Sequence, residues 1–200
     1  MSEKNMRLIV GLGNPGLEYA LHRHNVGYMV TDALLDEDHN GFWGPSSGAL
    51  LTPTLMLGRF HALMKPTTFM NSSGEAVKKV SQRLEIPIHR IIVIHDDLDL
   101  PLGTLRIKVG GGDGGHRGIR SVAKELDTKE FARVRLGVGR PPEGVEVLNY
   151  VLSSFLPEEK DRLREMIQQA KKAVEMIISD GVQSAQNALN GIRRKEDVQE

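Results

Sequence analysis

Residues 8–16 read L-I-V-G-L-G-N-P-G, and this stretch decides how the start of the chain folds. Its apolar run, residues 8–10, ends at a glycine and so predicts a short buried strand. The glycines that follow have the spacing G-x-G-x-x-G of a dinucleotide-binding loop. Such a loop requires a helix that starts inside it and a second strand that ends in an acid roughly 20 residues further on.

The residues that follow do not supply that context. Asp32 and Asp36 stand at suitable distances, but residues 26–34 carry apolar side chains at helical intervals, and the next strand candidate starts only near residue 50. We therefore predict no dinucleotide cofactor. In our interpretation the glycines turn the chain sharply after the first strand so that Asn14 faces a crevice. The alternative is a plain Asn-Pro-Gly turn.

Composition narrows the class of protein. The 200 residues suffice for one domain with a sizeable core, and 40% hydrophobic and 26% charged residues are ordinary for a globular protein. The chain has no cysteine, which excludes disulfides, thiolate nucleophiles and cysteine-bound metals. The first apolar run is too short for a signal peptide, and no stretch approaches the roughly 20 apolar residues of a membrane helix. We expect a cytoplasmic protein with no membrane partner.

Strands alternate with helices, which predicts a single α/β domain with a mixed sheet over residues 1–190, followed by a charged, frayed tail over 191–200. A Ser72–Glu75 capping box predicts the start of one helix, and Pro157 the start of a long helix that Gly181 ends. The other predicted elements are strands over 91–94 and near 50–57, 60–65, 104–109 and 133–138, helices over 26–34 and after the glycine-rich loop 110–118, and a loop over 38–48.

Four polar residues lie where predicted strands end or near predicted helix starts: Asn14, His24, Asn71 and Asp96. In open α/β sheets, ligands bind in the crevice beyond the carboxyl ends of the strands. If these side chains meet there, Asp96 would hold one ring nitrogen of His24 while the other nitrogen takes a proton from water. The two amides would then hold a carbonyl and its developing oxyanion. Alternatively, Asn71 only caps the helix beside it.

Other interpretations stay open at this point. A lone histidine in a loop is most often a surface residue. His22 and His24 could share a metal ion, although no third ligand is obvious. Asp96, Asp97 and Asp99 follow a buried strand, as do aspartates that bind Mg²⁺ in phosphoryl-transfer enzymes.

Basic residues concentrate in one part of the chain. Residues 101–140 contain nine basic and four acidic residues, a local charge of +5 in a chain whose total is zero. The glycine-rich loop 110–118 runs into a helix start between basic residues, which predicts a phosphate cradle; the alternative is a solvated basic face. Because the chain has few aromatic residues, contacts to phosphates or to a duplex suit it better than base stacking does.

Four longer blocks carry a resemblance to a known family. They are G-L-G-N-P-G-L-E-Y-A-L-H-R-H-N-V-G at 11–27, K-P-T-T-F-M-N-S-S-G at 65–74, H-D-D-L-D-L-P-L-G at 95–103 and G-G-G-D-G-G-H-R-G at 110–118. In order and spacing they are similar to the signature blocks of bacterial peptidyl-tRNA hydrolases. The likeness continues through residues 131–141 and into the C-terminal part, so it spans nearly the whole chain.

The resemblance implies a monomeric α/β fold with a twisted mixed sheet surrounded by helices. It implies hydrolysis of the ester bond between the peptide and the terminal ribose of peptidyl-tRNA, without a cofactor or a metal ion. This reaction recycles tRNA from peptidyl-tRNA that ribosomes have dropped. The implied partner is peptidyl-tRNA, recognised through its acceptor stem and 5′-phosphate.

The same resemblance assigns roles to individual residues. His24 is the implied catalytic base and Asp96 its orienting partner, while Lys108 and Arg135 would clamp the 5′-terminal phosphate of the tRNA. The residues that it assigns to substrate binding are Asn14, Tyr19, Phe69, Asn71 and Arg117.

Two positions depart from the family pattern. His22 stands where the family usually has threonine, and Arg117 where the fourth block usually has an asparagine that orients water and ribose. Because arginine donates hydrogen bonds but cannot accept them, we assign Arg117 to substrate contact. The alternatives are a non-catalytic RNA-binding protein on the same scaffold, which the intact His24 and Asp96 disfavour, and a metal-dependent phosphoesterase that uses the three aspartates after residue 95.

Overall fold

The computed structural model describes residues 5–36 and 41–191. Within these ranges it contains one seven-stranded mixed sheet with helices on both faces, which confirms the predicted fold class. Of the predicted tail 191–200, all but Gly191 lies outside the described residues, and so do residues 38–40 of the predicted loop.

Four parallel strands form the centre of the sheet, and antiparallel strands flank them on both sides. The strands are β1 (Leu8–Gly11), β2 (Gly44–Ser46), β3 (Ala49–Met56), β4 (Arg59–Pro66), β5 (Ile91–Asp97), β6 (Leu105–Val109) and β7 (Ala132–Gly137). Their order is β2-β3-β4-β1-β5-β7-β6, and β4, β1, β5 and β7 are the parallel ones. β1 is buried along its whole length because helices cover both faces, which is why a continuous apolar run encodes it.

The described residues contain six helices, and five of them share an apolar core with the sheet, in two layers. The six helices are α1 (Val26–Asp36), α2 (Ser73–Arg83), α3 (Arg117–Glu125), α4 (Val147–Val151), α5 (Lys160–Ser179) and α6 (Val182–Leu189). Helices α1, α5 and α6 share one core with Ile9, Ile92 and Ile94, whereas α2 and α3 share the other core with Val10 and Val93. Among the helices of the described ranges, none has the length and apolar character needed to cross a bilayer.

The predicted elements agree with the structure except at the least regular segments. The predicted loop 38–48 contains the short strand β2, which pairs antiparallel with β3. Helices α4 and α6 were not predicted, because α4 has only five residues and α6 only eight, half of them polar. Ser72 does stand at the start of α2, but its side chain makes no capping hydrogen bond, since a 3₁₀ turn over Met70–Ser72 leads directly into the helix.

The glycines of the opening stretch allow a helix and a strand to approach closely. A Cβ atom on Gly11 would lie 2.2 Å from the carbonyl oxygen of Gly27 in α1, and one on Gly13 would lie 2.7 Å from the ring of Tyr28. α1 itself starts at Val26, well after the loop. The loop therefore lacks the helix N-terminus that would hold a pyrophosphate.

Candidate active site

The candidate site lies at the carboxyl edge of the parallel strands. β1 leads there into Asn14, β4 into the turn that holds Asn71, and β5 ends with Asp96 and Asp97. The segment between β1 and α1 returns to this edge and carries His24 in a 3₁₀ turn over Arg23–Asn25. Because parallel strands present their carboxyl ends on one side, residues distant in sequence meet at this edge.

His24 and Asp96 form a close pair, as the sequence predicted. Nδ1 of His24 lies 2.8 Å from Oδ1 of Asp96 and 3.0 Å from Oδ2. An ionised carboxylate only accepts hydrogen bonds, so the proton of the neutral imidazole lies on Nδ1. The second ring nitrogen, Nε2, is then unprotonated and able to accept a proton.

His116 is a second histidine bound to the same carboxylate. Its Nε2 lies 2.9 Å from Oδ1 of Asp96, and its Nδ1 accepts hydrogen bonds from the backbone amides of Gly118 and Ile119 at 3.1 and 3.2 Å. Because Nδ1 is an acceptor, the proton lies on Nε2 and is donated to Asp96. The side chain thereby serves as the N-cap of α3 and supports Asp96 at the same time.

The electrostatics keep Asp96 ionised. Burial alone would raise the pKa of this carboxyl, but the interactions with His24 and His116, which both donate to it, hold its pKa well below the usual range. Beneath it, the buried ring of His95 donates from Nδ1 to the backbone oxygen of Asp96 at 2.7 Å. Burial, followed by the proximity of His116, lowers the pKa of His95 far below its ordinary value, so this ring is neutral.

Asn14 is held by contacts on both sides. Its backbone N–H donates to Oδ1 of Asn25 at 3.0 Å, and its backbone oxygen accepts a hydrogen bond from Nδ2 of Asn25 at 2.9 Å. Its side-chain Oδ1 accepts the backbone N–H of Met70 at 2.9 Å. This bond leaves the Nδ2 amide of Asn14 as a donor, and Asn25 links Asn14 directly to the turn that holds His24.

The structure shows the surroundings of the other residues predicted to bind substrate. Of these described residues, Arg117 lines the cavity that contains His24 and Asp96, and the others do not. Phe69 and Asn71 flank Met70, and both are exposed. Tyr19 packs its ring against His22, with 5.4 Å between the ring centroids. Asn14 lines a separate cavity of about 390 Å³ together with Tyr28 and Lys65.

A crevice of about 470 Å³ opens at the paired histidines. His24, Asp96 and His116 line it, together with Arg117 at the start of α3 and residues of α4. Its acids are largely matched by arginines: Asp97 with Arg135, Asp99 with Arg140, and Asp113 with Arg120. Within the described part of the chain, Arg117 forms no ion pair, so this exposed guanidinium is available to an anionic substrate.

The structure also tests the metal-site interpretations. Asp96, Asp97 and Asp99 do not converge, since each contacts a different partner. His22 does not join His24 at a shared position. Among the described residues, the group that brings suitable atoms together is His24, Asp96 and His116, all within 4.8 Å. Their ring nitrogens donate to the carboxylate at hydrogen-bond distances, so the arrangement suits proton transfer.

The predicted phosphate cradle at the end of the glycine-rich loop is wrong. The amides of Gly118 and Ile119, which an anion would need, donate to the ring of His116. The preceding carbonyls of Gly111 and Gly112 instead accept from the buried guanidinium of Arg133, at 3.1 and 2.8 Å. The loop is thus bound by protein groups at both ends, and the histidine N-cap replaces a bound anion.

The basic region divides between several places. On β6 and β7, Arg106 lies directly opposite Arg135, and Lys108 lies directly opposite Arg133. All four side chains are on the face of the sheet opposite the α5 core. Like charges directly opposite each other destabilise a sheet unless an anion lies between them. Arg135 donates from Nε to Asp97 at 2.7 Å, whereas Lys108 has no carboxylate partner in the residues that the structure describes.

Comparison with known proteins identifies the family. Residues 8–198 match the family model described as peptidyl-tRNA hydrolase. The chain belongs to the peptidyl-tRNA hydrolase family. A peptidyl-tRNA hydrolase of Mycobacteroides abscessus is 46% identical over 184 residues, which cover 92% of this chain and 94% of the relative. One of Herpetosiphon aurantiacus is 44% identical, covering 93% and 91%.

A solved peptidyl-tRNA hydrolase structure agrees with the fold. The enzyme from Acinetobacter baumannii superposes with a TM-score of 0.88 at 32% identity, covering 96% of this chain and 98% of that one. A peptidyl-tRNA hydrolase in complex with N-propanol gives a TM-score of 0.87 at 33% identity, covering 94% and 96%.

Sequence reasoning missed two residues of this peptidyl-tRNA hydrolase site. His116 lies within the G-G-H-R-G block, but we interpreted the block as a phosphate loop. The signal was present, because a polar residue directly before a predicted helix is a candidate N-cap. Asn25 follows His24 directly, yet its hydrogen bonds to Asn14 depend on the path of the chain between β1 and α1.

Proposed function

We propose that this chain hydrolyses the ester bond between the peptide and the terminal ribose of peptidyl-tRNA, with His24 as the general base. The observation that carries the proposal is the contact of His24 Nδ1 with the carboxylate of Asp96, at 2.8 and 3.0 Å, at the wall of the crevice. Family membership supplies the substrate class, and this pair supplies the means of activating water.

In the proposed mechanism, Nε2 of His24 takes a proton from a water molecule as that water attacks the ester carbonyl. Asp96, ionised and held by His116, stabilises the imidazolium that forms and fixes its orientation. A positioned general base contributes about 10²–10⁴-fold to rate. The proton then passes to the departing ribose hydroxyl as the tetrahedral intermediate collapses.

Asn14 is the proposed donor to the developing oxyanion. Because Met70 occupies its Oδ1, its Nδ2 is oriented as a donor before substrate arrives. Preorganised donors of this type contribute about 10²–10³-fold. The exposed Asn71 and Phe69 and the half-buried Tyr19 would contact the peptide and the terminal nucleotide.

Lys108 and Arg135 are the proposed contacts to the 5′-phosphate of the acceptor stem. Their support is the unpaired Lys108 beside the like-charged pairs of β6 and β7, which an anion would relieve. We also propose a monomer as the active form, as the family resemblance implies. Analytical ultracentrifugation at assay concentrations tests this last point.

The decisive experiment measures release of the acylated amino acid from N-acetyl-aminoacyl-tRNA, with free aminoacyl-tRNA and EDTA-treated samples in parallel. We expect selective release that resists EDTA and falls by about two or more decades in His24→Ala, with fold and tRNA binding intact. The matched control is His89→Ala, at the amino end of β5, away from the site. Near-native turnover by His24→Ala would exclude it as the base, and tRNA binding without release would indicate a binding protein.

A further inference from the structure

The turn that carries His24 has little rigidity of its own. It is a three-residue 3₁₀ turn over Arg23–Asn25, and such short turns are held mainly by outside contacts. Asn25 fixes its far end by two hydrogen bonds to the backbone of Asn14. The other end of the turn, at Arg23, is held by a separate set of contacts.

Arg23 anchors this end through contacts with α4 and with the segment between α4 and α5. Its two terminal nitrogens donate to the two carboxylate oxygens of Glu159 at 3.1 and 2.7 Å, and its guanidinium lies over the rings of Tyr150 and Phe155 at 4.5 and 4.8 Å. Its backbone N–H donates to the oxygen of Ser153 at 2.9 Å. This combination of a bidentate fork and aromatic stacking is specific to arginine.

Stability does not by itself explain such a pair. Arg23 is 3% exposed and Glu159 18% exposed, so both charges lose much of their hydration when the chain folds. Buried ion pairs often contribute little net stability relative to apolar residues of the same shape, and a defined geometry is what they can provide. Here the ion pair fixes the position of Arg23, the residue that directly precedes His24.

The same contacts join the histidine turn to one wall of the crevice. Tyr150, which stacks on Arg23, belongs to α4, and other residues of α4 line the crevice that contains His24 and Asp96. Tyr150 is itself fixed by a hydrogen bond from its hydroxyl to the backbone oxygen of Val138 at 2.7 Å.

We propose that Arg23 and Glu159 are a positioning pair that holds the imidazole of His24 against Asp96. The proposal rests on His24 being the base, as proposed above. Losing the pair lets the turn shift while the chain remains folded, and a displacement near 1 Å of a reacting group costs up to about 10²-fold in rate. The effect therefore falls on turnover rather than on binding of the tRNA, whose phosphate contacts lie on β6 and β7.

The test compares Glu159→Ala, Glu159→Gln and Arg23→Lys with Glu158→Ala, the exposed neighbour outside the pair. For Glu159→Ala we expect kcat to fall about 10- to 100-fold with KM within about threefold of the wild type. Glu159→Gln retains one acceptor for Arg23 and is expected to be intermediate. Glu158→Ala is expected to match the wild type.

A spectroscopic readout separates positioning from a structural role. The Nδ1 proton of His24, bonded to a carboxylate, gives a downfield proton resonance that is identified by its loss in His24→Ala. We expect it to broaden or shift in Glu159→Ala. A kcat within about twofold of the wild type overturns the proposal even if the thermal midpoint falls, and so does an unchanged His24 resonance or a change in KM alone.

The outcomes also distinguish this proposal from the one on which it rests. If His24→Ala stays active, the base assignment fails. If His24→Ala is inactive while Glu159→Ala turns over normally, only the positioning pair fails. Should Glu159→Ala not fold, Glu159→Gln and Arg23→Lys decide by the same two readouts, because each keeps part of the contact.

Discussion

Nε2 of His116 lies 2.9 Å from Oδ1 of Asp96, while Nδ1 of the same ring accepts hydrogen bonds from the backbone amides of Gly118 and Ile119 in the first turn of α3. One side chain thus caps a helix and supports the proposed partner of the base. The backbone amides fix its tautomer, so Asp96 receives a hydrogen bond from this side whether or not His24 is protonated. The carboxylate is thereby kept in place through a cycle in which the charge of His24 changes.

This double role predicts that His116→Asn and His116→Ala have equal activity but unequal stability. Both variants remove the donor to Asp96, and we expect kcat to fall by about tenfold, the loss of roughly one charge-assisted hydrogen bond. Asparagine remains a good N-cap whereas alanine does not, so the alanine variant is expected to be less stable by about 1 kcal/mol. Urea unfolding together with steady-state kinetics checks both parts. Equal stability of the two variants would contradict the capping role.

The free guanidinium at the crevice leads to a second prediction. Arg117 stands at the positive end of α3, where a cation is unfavourable, and no described carboxylate neutralises it. If it contacts a phosphate of the terminal nucleotides, Arg117→Ala should raise KM by about 5- to 20-fold, the value of one such contact, with kcat little changed. Arg164→Ala, an exposed residue of α5, is the matched control. A fall in kcat alone would instead assign Arg117 to the chemical step.

The sequence predicted the strands of the sheet and the pairing of His24 with Asp96, but not the shorter elements. Central strands were readable because burial on both faces requires an unbroken apolar run, as at Ile91–Ile94. β2 reads G-P-S, which disfavours a strand, and forms at the sheet edge where proline is tolerated. α4 is too short to show a helical period.

Contacts between distant parts of the chain explain what else was missed. Arg23 and Glu159 are 136 residues apart, and no spacing rule connects them. His116 was assigned to a phosphate loop because a glycine-rich segment before a helix has that signature, yet its ring occupies the amides that a phosphate would use. The glycine-rich segment does lead into the start of a helix, as its pattern indicates, but a side chain and not a phosphate binds the amides there.

A third prediction concerns tRNA binding at the edge of the sheet. Lys108 projects from β6 on the face opposite the α5 core and has no described acidic partner, whereas Lys172 is an exposed residue of α5 on the other face. We expect Lys108→Ala to weaken tRNA binding and to lower the slope of log K against log salt by about 1, the loss of one phosphate contact. Lys172→Ala should leave both unchanged. If the two variants show the same slope, the phosphate contact lies elsewhere.

The last prediction concerns the pH dependence of stability, and it follows from His95. Burial and the neighbouring His116 lower the pKa of this ring in the folded chain, while an unfolded histidine titrates near pH 6.5. The unfolded state therefore takes up the extra proton as the pH falls, so the stabilisation present above about pH 6.5 is lost below it, by about 1.4 kcal/mol per pH unit for one proton.

His95→Gln should remove that contribution and flatten the dependence of the free energy of unfolding on pH between about 6.5 and 5. His61, whose pKa burial and then Arg7 also lower, contributes in the same direction, so the double variant with His61→Gln should be flatter still. Urea titrations at several pH values give the slopes, and an unchanged m-value ensures that the transitions are comparable. If His95→Gln kept the full wild-type slope, His95 would titrate normally in the folded protein despite its burial beneath Asp96, and the prediction would be wrong.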